Sequence, residues 1–220
     1  MVPMKNRLAS EFLGTFALVM AGTGAVVVNA ARNGAIGHVG IALTFGLVIM
    51  AMVFALGDVS GAHLNPAVTL GLTVAGRAPA AELAPYWIAQ IAGAFAASGL
   101  LRLLFPALPA ALGTTLPSGT PVESLVFEII LTFFLVLVVL QVTTGAKEKG
   151  ITAAVAVGGT ITLCALFGGP ISGASMNPAR SLAPAVVSMN LQHLWVYMAG
   201  PLAGAVLAVG ATWAVRGTTK

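Results

Sequence analysis

Apolar residues dominate six long stretches of the chain: residues 8–28, 39–57, 83–105, 122–142, 151–168 and 193–215. At about 1.5 Å of rise per residue, each is long enough to cross about 30 Å of hydrocarbon as a helix. An even number of crossings puts both termini on one side. Two further apolar segments, Pro66 to Gly76 and Pro178 to Ser188, are too short to cross, since about eleven residues give about 17 Å of helix. They are expected to enter the membrane and return. Unwound backbone at that depth is tolerated only inside protein or beside a water-filled path.

The two short segments belong to a repeat. SGAHLNPAV, Ser60 to Val68, returns as SGASMNPAR, Ser172 to Arg180, and Glu11-Phe12-Leu13-Gly14-Thr15-Phe16 is echoed by Glu128-Ile129-Ile130-Leu131-Thr132-Phe133. With three crossings per half, the second copy enters from the opposite side, an inverted repeat of the kind that places sites at the bilayer midplane. The expected fold is therefore an all-α membrane protein. It comprises six transmembrane helices and two re-entrant half-helices in one domain, residues 1–220, with halves 1–106 and 120–216 joined by a loop at 107–119.

Asn is a favoured N-cap and Pro a favoured first helical residue, so Asn65-Pro66-Ala67 and Asn177-Pro178-Ala179 state where the half-helices begin. If each Asn oxygen caps its own helix, the amide NH2 groups remain as donors, side by side at the centre. Such a pair would serve a polar, uncharged molecule. Each helix N-terminus also carries about half a positive charge, so the two together oppose cations, protons included.

Composition agrees with a membrane chain. Only 7% of residues are charged and 58% are hydrophobic, too little polar surface to cover a water-soluble globule. Lys5, Arg7, Arg77, Lys147, Lys149, Arg216 and Lys220 fall on the side of the termini, and Arg32 and Arg102 do not. By the positive-inside rule both termini are expected to be cytoplasmic. The net charge of +4 is then a topology signal and implies no nucleic-acid partner. The N-terminus lacks a small-residue cleavage site, so the first span is expected to be retained. Cys164, alone, excludes an intrachain disulfide. No GxSxG, HExxH or comparable grouping appears, so neither an enzyme, a metal site nor a cofactor is expected.

The paired Asn-Pro-Ala motifs, the Glu in spans one and four, and Gln90-Ile91-Ala92-Gly93 resemble the aquaporin (major intrinsic protein) family over essentially the whole chain. The phrase GASMNPARSLAPA, Gly173 to Ala185, is similar to the nodulin-26-like branch and its bacterial relatives. The resemblance implies one pore per subunit, usually in homotetramers, in the plasma (inner) membrane bilayer. It also implies a selectivity filter at Phe45, Ala165, Ala174 and Arg180, the alternative for the first three being plain helix packing. Water-selective relatives carry His where Ala165 stands, which implies a wider ring here. Typical glycerol channels carry Asp where Ser181 stands, so neither standard class fits.

Glu11 and Glu128 are intramembrane carboxylates and hence functional candidates. They either accept backbone N–H groups of the re-entrant loops or relay protons. His63 is read as a hydrogen-bonded loop residue supporting the same structure, Cys164 as packing, and Asp58 as a residue of the cytoplasmic mouth with an open role. The expected function is a passive channel for water and small uncharged solutes such as glycerol, urea or neutral boric, arsenous or silicic acid, excluding ions and protons. The alternative is a secondary transporter of a small polar solute built on an inverted repeat.

Overall fold

At membrane depth a backbone must satisfy its own hydrogen bonds, and a helix does so within one segment. The computed structural model describes residues 2–107, 112–142 and 149–217. Lys147, Lys220 and residues 108–111 of the connecting loop lie outside them. The first helix, α1, spans Met4–Ala31 and is α-helical except for a π-turn at Val19–Thr23. Next come α2 (Gly37–Ser60), α3 (Pro66–Val74), α4 (Leu83–Leu104), α5 (Pro121–Val142), α6 (Lys149–Ser172), α7 (Pro178–Val187) and α8 (Leu194–Arg216). Six helices are long and apolar enough to cross a membrane, and α3 and α7 are the two half-helices.

Apolar runs locate the helices but understate their ends. The first helix begins at Met4 and includes Lys5 and Arg7, because charged residues continue a helix past the hydrocarbon edge. The fifth run stops at residue 168 before Gly169-Pro170, yet α6 continues to Ser172. Pro170 has no N–H for the Leu166 carbonyl four residues back. The Nε2 of His38, near the start of α2, meets that carbonyl at 2.7 Å and supplies the missing partner.

The inverted repeat governs the packing. In the first half α1 packs on α4 and α2, and in the second α5 packs on α8 and α6. The halves meet along α2 and α6, where Gly46 and Gly158, offset by 112 like the two Asn residues, lie backbone to backbone. A Cβ on Gly158 would stand 2.6 Å from the Gly46 carbonyl oxygen, so only glycine permits this approach. Gly93 against the Phe12 carbonyl and Gly204 against the Ile129 carbonyl bring α4 onto α1 and α8 onto α5 in the same way. The half-helices cross over: α3 packs on α8, and α7 packs on α4.

Polar contacts at one end tie together the ends of five helices. Arg7 forms a bidentate pair with Glu82 (2.6 and 2.5 Å) in the turn before α4. The Arg77 guanidinium, just after α3, donates to the Leu140 carbonyl at the end of α5, and Arg216 of α8 donates to Gln141. This face carries Met4 at the start of α1 and Arg216 at the end of α8. The opposite face carries the 32–36 turn, the 112–120 segment and residues 188–193. Arg102, an exception to the charge pattern, sits in the last turn of α4, where the helix dipole favours a cation.

Candidate functional site

A cavity of about 420 Å³ threads the two halves. It is lined at the terminal end by Phe54, Gly57 and the exposed Asp58, then by Gly61, Ala62, His63 and Asn65. Beyond them come Ala174, Ser175, Met176 and Asn177, and finally Phe45, Ala165 and Arg180. Ile49, Val53, Val157 and Ile161 of α2 and α6 give the remaining wall an apolar character. A polar stripe thus faces an apolar wall.

The polar stripe is made by two strained loops. Ala62, Leu64, Ala174 and Met176 all hold positive φ, at 47°, 52°, 43° and 52°. Each such residue costs about 1–2 kcal/mol in the left-handed region, and the loops cannot satisfy their own N–H groups as a helix would. The buried carboxylates make up the deficit. Glu11 accepts from the backbone N–H of His63 (2.9 Å) and Leu64 (2.7 Å), from Ser60 Oγ (2.7 Å) and from Gln90 Nε2 (2.7 Å). Glu128 accepts from the N–H of Ser175 and Met176 and from Ser172 Oγ, each at 2.8 Å. Four donors saturate a carboxylate, and neither glutamate lines the cavity.

At the half-helix starts, Asn65 Oδ1 accepts from the Ala67 N–H at 2.8 Å, and Asn177 Oδ1 accepts from the N–H groups of Ala179 (3.0 Å) and Arg180 (3.3 Å). Their amide groups differ from the sequence expectation. Asn65 Nδ2 donates to the Met176 carbonyl at 2.7 Å, and Asn177 Nδ2 donates to the Leu64 carbonyl at 2.9 Å. One hydrogen of each NH2 is spent on the opposing loop, which leaves one per residue for the cavity. Pro66, Ala67, Pro178 and Ala179 are buried away from the cavity, where Trp87 Nε1 donates to the Pro66 carbonyl at 3.0 Å.

Phe45, Ala165, Ala174 and Arg180 all line this one cavity. Arg180 is 3% exposed. Its Nη1 donates to the Gly113 carbonyl at 2.6 Å, and its Cζ lies 4.9 Å from the Phe45 ring centroid, a cation–π distance. Ala165 and Ala174 leave their walls near the backbone. Cys164 is turned away, with its Sγ 3.8 Å from the Leu131 carbonyl. Ser181 does not line the cavity: its hydroxyl bonds Ser175 Oγ (2.5 Å) and Thr115 Oγ1 (2.7 Å). Ser181 therefore acts on the loop. His63 lines the cavity with Nδ1 3.3 Å from Thr69 Oγ1 and its ring 4.9 Å from that of Tyr86.

Gly113 and Thr115 were not indicated by any sequence pattern, because their contribution is a carbonyl and a hydroxyl brought in from a loop. Gln90, noted only within a motif, bonds both Glu11 and Thr69 Oγ1 (2.9 Å). Among the described residues no group of three or more His, Cys, Asp or Glu could hold a metal.

Comparison with known proteins adds to this geometry. The family described as Major intrinsic protein matches residues 1–211. The chain is 48% identical over 219 residues to "Aquaporin NIP1-1" of Zea mays, covering 100% of this chain and 78% of the relative. It is 41% identical over 219 residues to "Nodulin-26" of Glycine max, covering 100% and 81%. The X-ray structure of the aquaglyceroporin from Plasmodium falciparum is similar with a TM-score of 0.83 at 26% identity, over 94% of each chain.

Proposed function

Since this chain belongs to the major intrinsic protein family, we propose that it is a passive channel for water and small uncharged hydroxylated or amide solutes that excludes ions and protons. The observation that carries this reading is the cavity itself, which passes both Asn residues between Asp58 and the Phe45–Arg180 pair. A solute inside it exchanges water's hydrogen bonds for Asn amides and Arg180, while the apolar wall accommodates its carbon or central-atom side. Unpaired polar groups cost energy far more than burial does.

Asn65 and Asn177 are the central donors in this proposal, and Phe45, Ala165, Ala174 and Arg180 form the selectivity filter. Glu11, Glu128 and His63 support the loops. A ring with Ala165 in place of a larger side chain suits glycerol, urea or a neutral trihydroxy acid, as does the similarity to an aquaglyceroporin. Ion exclusion follows from the two half-helix N-termini, which add roughly one positive charge at their meeting point, together with Arg180. Saturation of Glu11 argues against a proton-coupled transporter. We further propose a homotetramer in the plasma membrane with both termini cytoplasmic, and a domain of two halves, 1–106 and 120–216, on the pattern of the charge distribution and the family.

The test is stopped-flow light scattering on proteoliposomes of the purified protein with water, urea, glycerol and boric acid. Fluxes linear in the solute gradient and indifferent to an imposed pH gradient are expected. Solute accumulation driven by a pH gradient would instead establish the transporter.

A further inference from the structure

Helix α1 lends the cavity only Leu18, yet its π-turn, Val19–Thr23, begins at the next residue. A π-turn inserts a residue into the helix and rotates the remaining turns by about 100°, and such turns recur at functional sites. Of two consecutive residues in this turn, Gly22 lies against Phe45 and Thr23 against Gly113, whose carbonyl holds Arg180. An ideal Cβ on the buried Gly22 would collide with the Phe45 ring, its Cζ standing 2.7 Å away and two further ring atoms nearer still. The ring therefore occupies the space a side chain at position 22 would need.

The next residue seats Arg180 indirectly. Gly113 holds φ at +74°, and a Cβ there would stand 3.2 Å from the Thr23 carbonyl oxygen and closer to the Thr23 side chain. The Gly113 carbonyl, fixed against Thr23, accepts from Arg180 Nη1 at 2.6 Å. Because Ala165 and Ala174 are short, the width of the ring depends on where Phe45 and Arg180 stand.

From this geometry we propose that the π-turn of α1 is the seat of the constriction and that Gly22 is a positioning residue for solute selectivity, acting through Phe45. The inference rests on the channel reading above. A methyl group at position 22 drives the Phe45 ring toward the cavity it lines, because Arg180 occupies the ring's face. The larger the solute, the more it loses.

The test compares the unmodified protein, Gly22→Ala, Phe45→Leu and the double variant Gly22→Ala/Phe45→Leu in proteoliposomes, measuring water, urea and glycerol permeability on the same vesicles. In Gly22→Ala the losses should increase in the order water, urea, glycerol, with glycerol falling about fivefold or more relative to water, as overpacking at this contact implies. On the Phe45→Leu background, where the shorter Leu frees the space beside position 22, the same Gly22→Ala change should move the ratio by no more than about twofold. Equal losses for all three solutes in Gly22→Ala, an unchanged ratio, or an equal fall in the ratio on the Phe45→Leu background would overturn the proposal. Should Gly22→Ala fail to fold, the double variant decides: folded, glycerol-permeable protein supports the seat, and failure of both overturns it. An unmodified protein that passes none of the three overturns the channel reading itself, and this inference with it.

Discussion

Asn65 and Asn177 each close the loop that precedes the other: the Asn65 amide donates to the Met176 carbonyl at 2.7 Å, and the Asn177 amide donates to the Leu64 carbonyl at 2.9 Å. The acceptors are themselves related by the repeat, and both hold positive φ. Two half-helices are thereby fastened start to start without a covalent link.

Replacing either Asn by Ala removes a cap worth about 1 kcal/mol and leaves the opposing carbonyl without its partner, at about 1–3 kcal/mol. Each variant should unfold at lower temperature in detergent and conduct less per folded molecule. The double variant should lose less than the sum of the singles, because both act on one fastening. Unchanged thermal stability and flux in both singles would show that the fastening is idle.

Asn177→Asp keeps the acceptor for the N–H groups of Ala179 and Arg180 but loses the donor to Leu64 and adds a negative charge at the meeting point. Unmodified vesicles that pass a neutral solute should show no proton or sodium flux, and Asn177→Asp should raise cation leakage. A substantial proton current through the unmodified protein would sink the electrostatic account of exclusion.

In the proposed filter, Ala165→His fills the wall that the short side chain leaves open and adds a donor. Glycerol permeability should fall far more than water permeability on the same vesicles, normalised to protein content. If the two fall equally the change acts on folding, and if glycerol flux persists Ala165 does not shape the narrow point.

Glu11→Gln replaces an acceptor pair with one acceptor and one NH2 group, facing four donors from Ser60, His63, Leu64 and Gln90. At least one buried N–H loses its partner, at about 1–3 kcal/mol, so the melting temperature should drop, with flux remaining blind to a pH gradient before and after. A variant that kept its stability but altered a pH-driven flux would restore the proton-relay role.

Repetition made much of this legible in the sequence. Asn65-Pro66 and Asn177-Pro178 declare helix starts through a local mechanism, a side-chain cap and a fixed φ, that needs no knowledge of neighbours. Run length separates crossing helices from half-helices for the same reason, since rise per residue is constant. The positions Phe45, Ala165, Ala174 and Arg180 could be named by resemblance, and they do line one cavity. Contacts between distant segments were decided only in three dimensions. The passage of α6 through Pro170 depends on His38, 128 positions away from the carbonyl it meets. The partner of Arg180 is the carbonyl of Gly113, a group every residue possesses and no motif records. The π-turn at Val19–Thr23 has no capping residue or proline to announce it. It places Gly22 against Phe45 and Thr23 against Gly113, contacts between segments far apart in the chain. Local chemistry and length are written along the chain, whereas the choice of partner for a carbonyl, an amide hydrogen or a ring edge belongs to the packing of helices upon one another.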